Sequence, residues 1–271
     1  MRGILTATVD PRPLAAARII IGLVAVGFSF EWGRILLRVS SGNFLALPVI
    51  GDWASIPSPL VAALFAVSLG ASLAMVLGLA NRFPALLVAV IAGVVLLVDE
   101  QTYSNHLVLL MMMAMWLSLS GAHEAWSLSR SPKSARVPYW PAFLVKVQIT
   151  SLYAWTAVAK VNEQYLSGEV MGTYLHDWVP ISSELLPLAA VLSILAEAFL
   201  AVALWIPQLR KSAYVVGAGL HVGIVVLLES PAPLVGFGAL MLAGYFIFAY
   251  GKPDAPSTAA SSHASALTTR G

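Results

Sequence analysis

Long apolar runs, broken by short polar or proline-bearing turns, occupy most of the chain from residue 14 to residue 250. A helix that crosses the hydrocarbon of a bilayer needs roughly 20 mostly apolar residues. Eight stretches approach or meet that measure, at 14–36, 59–80, 84–100, 103–120, 141–162, 185–207, 212–229 and 232–250. Pro59, Pro84, Pro141 and Pro187 fall at the predicted helix starts, where a missing N–H costs nothing. Asn81-Arg82-Phe83-Pro84 and Pro207-Gln208-Leu209-Arg210 read as short polar turns, and Ser230-Pro231-Ala232-Pro233 separates the last two runs. Residues 164–184 form the longest connection at one end, with room for a short surface helix. From Lys252 the chain is rich in Ala, Ser and Thr without an apolar period, the pattern of a disordered tail. The expected fold is all-α: a polytopic transmembrane helical bundle of about eight helices over residues 1–251, followed by a tail at 252–271.

Composition agrees with a bilayer as solvent. Hydrophobic residues make up 59% of 271 positions and charged residues 10%, too few to cover a water-soluble surface. The chain has no cysteine, which removes disulfides and thiolate chemistry. A net charge of +2 gives no electrostatic footprint for nucleic acid. No protein partner is evident; the expected partners are membrane lipid and a small lipophilic substrate. Asp10-Pro11-Arg12-Pro13 interrupts what would otherwise resemble a signal peptide, so the first apolar run reads as a retained helix. Arg2, Arg12, Arg82, Lys133, Arg136 and Arg210 all fall on one side of an eight-span arrangement. By the positive-inside rule both termini are then cytoplasmic, in a bacterial inner membrane. Asp52, Asp99, Glu100, Glu163 and Glu229 fall on the opposite side, with Arg34 and Arg38 as basic exceptions that reach the outer headgroups.

Ionisable side chains inside spans are costly and need a reason. Lys146 reads as snorkelling toward the inner interface. Glu31 pairs either with Arg34 three residues on or with a neighbouring helix. The eight-span arrangement puts His106 and Lys160 at similar depth in the outer half, with Glu197 and His221 deeper, around one cavity. A lysine held away from water acts as a general base once neutral. His106 would orient a substrate oxygen or stabilise negative charge on it, and Asn105 adds an amide donor. Tyr103, Tyr153 and Trp155 supply either a pocket for a flat or isoprenoid ligand or simple core and interfacial packing. The plainer readings are a snorkelling Lys160, an interhelical hydrogen bond at His221 and a buried structural pair at Glu197. The Gly219 to Gly223 spacing permits a close helix approach. Zinc-protease, CxxC, Walker and nucleophile-elbow motifs are missing, and no metal site is expected.

Three segments resemble those of the vitamin K-dependent γ-carboxylase and its bacterial HTTM-domain relatives. Tyr103-Ser104-Asn105-His106-Leu107 resembles the family's Asn-His motif. Gln148 to Gly168, with Tyr153, Ala159-Lys160-Val161-Asn162 and Ser167-Gly168, resembles its lysine segment. Gly219-Leu220-His221, after Arg210-Lys211, resembles its later histidine helix. The resemblance covers roughly residues 10–250.

It implies an enzyme in which the lysine, here Lys160, deprotonates a reduced naphthoquinone (vitamin K hydroquinone or menaquinol) that then reacts with dioxygen. In the carboxylase the resulting strong base takes a proton from a glutamate γ-carbon, and carbon dioxide adds. Here Asn105, His106 and His221 take the places of the family's asparagine and histidines. Tyr165 stands where the family usually has tryptophan, and the chain ends soon after its last span, so peptide carboxylation is not expected. One alternative is an isoprenoid or meroterpenoid cyclase, without a cofactor, that uses Glu197 or Asp99 to start a carbocation cascade. Another is a non-catalytic transporter or immunity protein, although no paired half-repeats support transport.

Overall fold

The computed structural model describes residues 2–48, 51, 56–130, 133–229, 231–250 and 253. Asp52 and the tail, apart from Pro253, lie outside the described residues. Eleven helices follow in order: α1 (Arg2–Thr6), α2 (Arg12–Ser40), α3 (Ser58–Leu77), α4 (Phe83–Val98), α5 (Asn105–Ser118), α6 (Trp140–Ala159), α7 (Glu163–Leu166), α8 (Glu169–Tyr174), α9 (Leu186–Ala203), α10 (Arg210–Leu227) and α11 (Pro231–Tyr250). The strands among the described residues are β1 (Thr8–Val9) and β2 (Val137–Pro138), an antiparallel clasp between the N-terminal segment and the approach to α6.

Each of the eight apolar runs carries one long helix. Prolines sit in the first turns of α2, α3, α4, α6 and α9, as their missing N–H allows. Five helical stretches are long and apolar enough to cross a membrane; Phe83–Val98, Asn105–Ser118 and Pro233–Ala249 are shorter apolar helices. The fourth run loses its first residues for a local reason. Asp99 accepts a hydrogen bond from the Gln101 N–H and caps a 3-10 turn at Glu100–Thr102, so α5 starts only at Asn105. The connection at 164–184 holds two short helices, α7 and α8, rather than one.

Helix α2 is the central post. Its face of Leu14, Ile21, Ala25, Phe28, Trp32 and Leu36 recurs at helical spacing and is buried. It packs against α3, α4, α5 and α11. Helices α6, α9 and α10 form a second group, which α11 joins to the first.

Two basic side chains within the helices have structural work at the end where α2, α4, α6 and α10 begin. Buried Arg18 donates to the carbonyls of Met75 and Val76 at the end of α3, and to those of Ala122 and Trp126 in the loop after α5. A helix end leaves its last carbonyls without partners, and the guanidinium supplies the donors. Lys146 reaches back along α6, placing Nζ 3.4 Å from the Tyr139 hydroxyl and 5.6 Å from the Phe248 ring centre. Its direction is that of snorkelling, but it ends among protein rings.

Candidate functional site

At the other end of the bundle, α6 stops at Lys160 and the chain reverses. Asn162 fixes that reversal. Its amide donates to the Ala159 carbonyl at 2.9 Å, while its oxygen accepts from the Tyr165 N–H at 2.9 Å. Gly168 then adopts a left-handed φ of 82° and starts α8 hard against α9; a Cβ there would lie 2.4 Å from the Leu186 Cβ. These contacts explain locally why an Asn and a Gly flank the lysine segment.

The turn aims Lys160 inward. Its Nζ lies 2.8 Å from Glu197 Oε1 on α9 and 5.1 Å from the centre of the Tyr165 ring. The aromatic face is thus retained at Tyr165, whose hydroxyl bonds Ser193 at 2.8 Å. The Glu197 side chain is 7% exposed, and its second oxygen, Oε2, is buried with no hydrogen-bond partner.

Two imidazoles face the same space. His106, in the first turn of α5, has Nε2 at 3.2 Å from Glu31 Oε1 on α2 and at 3.4 Å from the Ser104 hydroxyl. The Phe28 ring packs 4.9 Å from its centre. On α10, His221 Nε2 lies 2.8 Å from the Tyr153 hydroxyl, which also bonds the Tyr245 hydroxyl of α11. Gly217 makes that chain possible, since a Cβ there would fall 1.9 Å from the Tyr245 oxygen.

Asn105, His106, Tyr153, Lys160, Glu197 and His221 therefore line one cavity of about 310 Å³. Beside it lies a larger, mainly apolar cavity of about 510 Å³ between α8, α9 and α10, and Lys160, Leu220 and Ile224 belong to both. Gly219 and Gly223 line the apolar cavity and meet no neighbour within 4 Å, so they widen a chamber and do not bring helices together. The close-approach glycine of α10 is Gly217.

Four expected site residues lie elsewhere. Trp155 is 73% exposed on the outside of α6, because only two residues separate it from inward-facing Tyr153. Gln148 is half-buried one turn and a half before Tyr153 and does not line the cavity. Tyr103, 70% exposed, lines a separate cleft of about 450 Å³ with Glu31, Arg34 and Arg38. Asp99 is fully buried away from the cavity. It accepts from the Leu45 and Gln101 N–H groups, the Thr102 hydroxyl and the Arg38 guanidinium. Burial pushes its carboxyl up, but these donors outweigh burial and hold it below the usual 3.8.

Sequence reading left Glu31 between two partners and did not single out Tyr245 or Ser193. The one signal for Tyr245 was a polar-tipped ring in the middle of an otherwise apolar run. Among the described residues, no group of three His, Asp or Glu side chains is placed to hold a metal.

Membrane-length apolar helices around a cavity lined by an amine, a carboxylate and two imidazoles define a polytopic helical membrane protein with a buried polar site. A family model, the HTTM domain, matches residues 7–248, and the chain belongs to that family. No solved structure matches it.

Proposed function

We propose that this HTTM protein is a membrane enzyme that takes a proton from the hydroxyl of a lipid-soluble quinol or isoprenoid substrate. Lys160 is the base and His106 steadies the oxyanion. One observation carries this reading: Lys160, Glu197, His106 and His221 come from four helices to one cavity that adjoins an apolar chamber. A flat, hydroxyl-bearing head fits the polar cavity and its branched tail fits the chamber, the arrangement expected of a small-molecule site. The orphaned Glu197 Oε2 offers an acceptor to the head, so the residues fit a reduced naphthoquinone. When bound, that group supplies an acidic hydroxyl and, with dioxygen, oxidising chemistry.

The residues divide the work. A proton shift across the 2.8 Å contact from Nζ to Glu197 Oε1 leaves a neutral amine to act as base. His106, held by Glu31, places an imidazole where negative charge develops. The Tyr153 hydroxyl fixes the second imidazole, His221. Both termini are taken as cytoplasmic and the cavity as opening toward the outer half, on the distribution of basic residues.

A cyclase reading on the same scaffold is weaker. Asp99 is remote from the cavity, and Glu197 is tied to an ammonium, which makes it a poor proton donor.

Reduced 2-methyl-1,4-naphthoquinone supplied to purified protein in nanodiscs under oxygen tests the proposal. The expected result is the quinone epoxide, with one water released per dioxygen consumed, and its loss in Lys160→Ala. No epoxide from the wild-type protein, or full activity in Lys160→Ala, overturns it.

A further inference from the structure

We infer that Glu197 determines specificity in this cavity: its Oε2 accepts a hydrogen bond from a hydroxyl on the ligand and turns away the carbonyl counterpart. The inference rests on the reading that the cavity takes a lipid-soluble ligand. It adds which oxidation level of the head is admitted, and by which atom.

The cavity's other polar groups are almost all engaged. Tyr153 and His221 bond each other, His106 bonds Glu31, and the Thr156 hydroxyl bonds the Leu152 and Tyr153 carbonyls. Lys160 holds Glu197 through Oε1. Oε2 alone is buried with no donor, in a side chain more than nine-tenths buried. A buried acceptor without a donor is costly and rare, and in a cavity wall it marks a place for a ligand group. The ammonium favours the carboxylate form, so Oε2 is an acceptor and not a donor. An O–H placed there completes the carboxylate. A carbonyl oxygen there sets lone pair against lone pair and leaves Oε2 unsatisfied. Sites built to hydrogen-bond a substrate hydroxyl discriminate strongly against analogues lacking it.

Binding of two matched pairs under argon tests this, in nanodiscs, by titration calorimetry. One pair is reduced and oxidised 2-methyl-1,4-naphthoquinone; the other is farnesol and farnesal. Wild-type protein is expected to bind the hydroxyl form of a pair at least about 10-fold more tightly. Glu197→Gln puts an amide N–H where Oε2 was, and the preference is expected to fall to unity or invert toward the carbonyl form. A merely structural role for Glu197 would weaken both forms alike. If neither naphthoquinone form binds but farnesol still outcompetes farnesal in a Glu197-dependent way, the inference stands and the quinol reading falls. Equal binding of both members of each pair by wild type, an unchanged preference in Glu197→Gln, or no binding of any probe overturns the inference.

Discussion

Glu31 on α2 holds His106 at the start of α5, with Oε1 3.2 Å from Nε2. A neutral imidazole that donates to this carboxylate carries its proton on Nε2, so Nδ1 is left as the acceptor. When the ring is charged, Nδ1 donates instead, and the carboxylate supports that charge. A role for His106 beside a developing oxyanion is therefore set partly by a residue on another helix. Glu31→Gln is expected to lower turnover of the quinol about 10-fold or more, as removal of an orienting carboxylate does elsewhere. Glu31→Asp should recover part of it. Initial rates for Glu31→Gln, His106→Gln and the double variant check the link: the two losses should not add.

The Lys160–Glu197 pair separates stability from activity. Removing one partner of a largely buried pair leaves an uncompensated charge, at a cost of about 3 kcal/mol. The Lys160 side chain is 24% exposed, so the loss should lie at or below that figure. Lys160→Met alone is expected to lower Tm in detergent. Lys160→Met combined with Glu197→Leu should restore Tm to near the wild-type value while activity stays absent. Recovery of activity in the double variant would show that the pair is scaffolding.

The helices were legible because hydropathy and proline placement act locally. The eight expected runs and the eight long helices agree to within about four residues at most ends. The 14-residue α5 departs because the Asp99 cap, a contact between loop atoms, is invisible to a hydropathy window. The site was half legible. Lys160, His106, Glu197 and His221 stood out because a charged or imidazole group inside an apolar run needs a reason. Which partner each group takes depends on helix rotation and neighbour order, which periodicity does not carry. That is why Glu31 was left between Arg34 and another helix, why Trp155 was placed inward beside Tyr153, and why Asp99 was offered as an acid.

Asp99 instead locks the loop between α4 and α5, and its pH dependence has a definite sign. Its carboxyl is held below 3.8, because four donors outweigh its burial. The stability it contributes is fully present above the ordinary carboxylate value of about 3.9 and is lost as pH falls through the lower folded value. Asp99→Asn is expected to cost about 2 kcal/mol at pH 7, or roughly 4–8 °C in Tm. The gap from wild type should stay constant from pH 7 to 5 and close only below about 3.9. Melting curves across that range test it, and a gap that closes already at pH 5–6 would mean that another group carries the effect.

Three glycines on α10 should respond to the same substitution in opposite directions. A Cβ at Gly217 would fall 1.9 Å from the Tyr245 hydroxyl, so Gly217→Ala must push that ring away from Tyr153 and, through Tyr153, disturb His221. Overpacking of this kind costs about 1–3 kcal/mol. Gly219 and Gly223 meet nothing within 4 Å, so Ala at either position is accommodated. There the change should stabilise the helix by up to about 1 kcal/mol. Larger side chains reveal what the space is for. Gly223→Leu projects into the apolar chamber and should weaken binding of a long-tailed ligand such as farnesol far more than that of 2-methyl-1,4-naphthohydroquinone, whose head needs only the polar cavity. Equal weakening of both, or of neither, in side-by-side titrations would show that the chamber does not hold the tail.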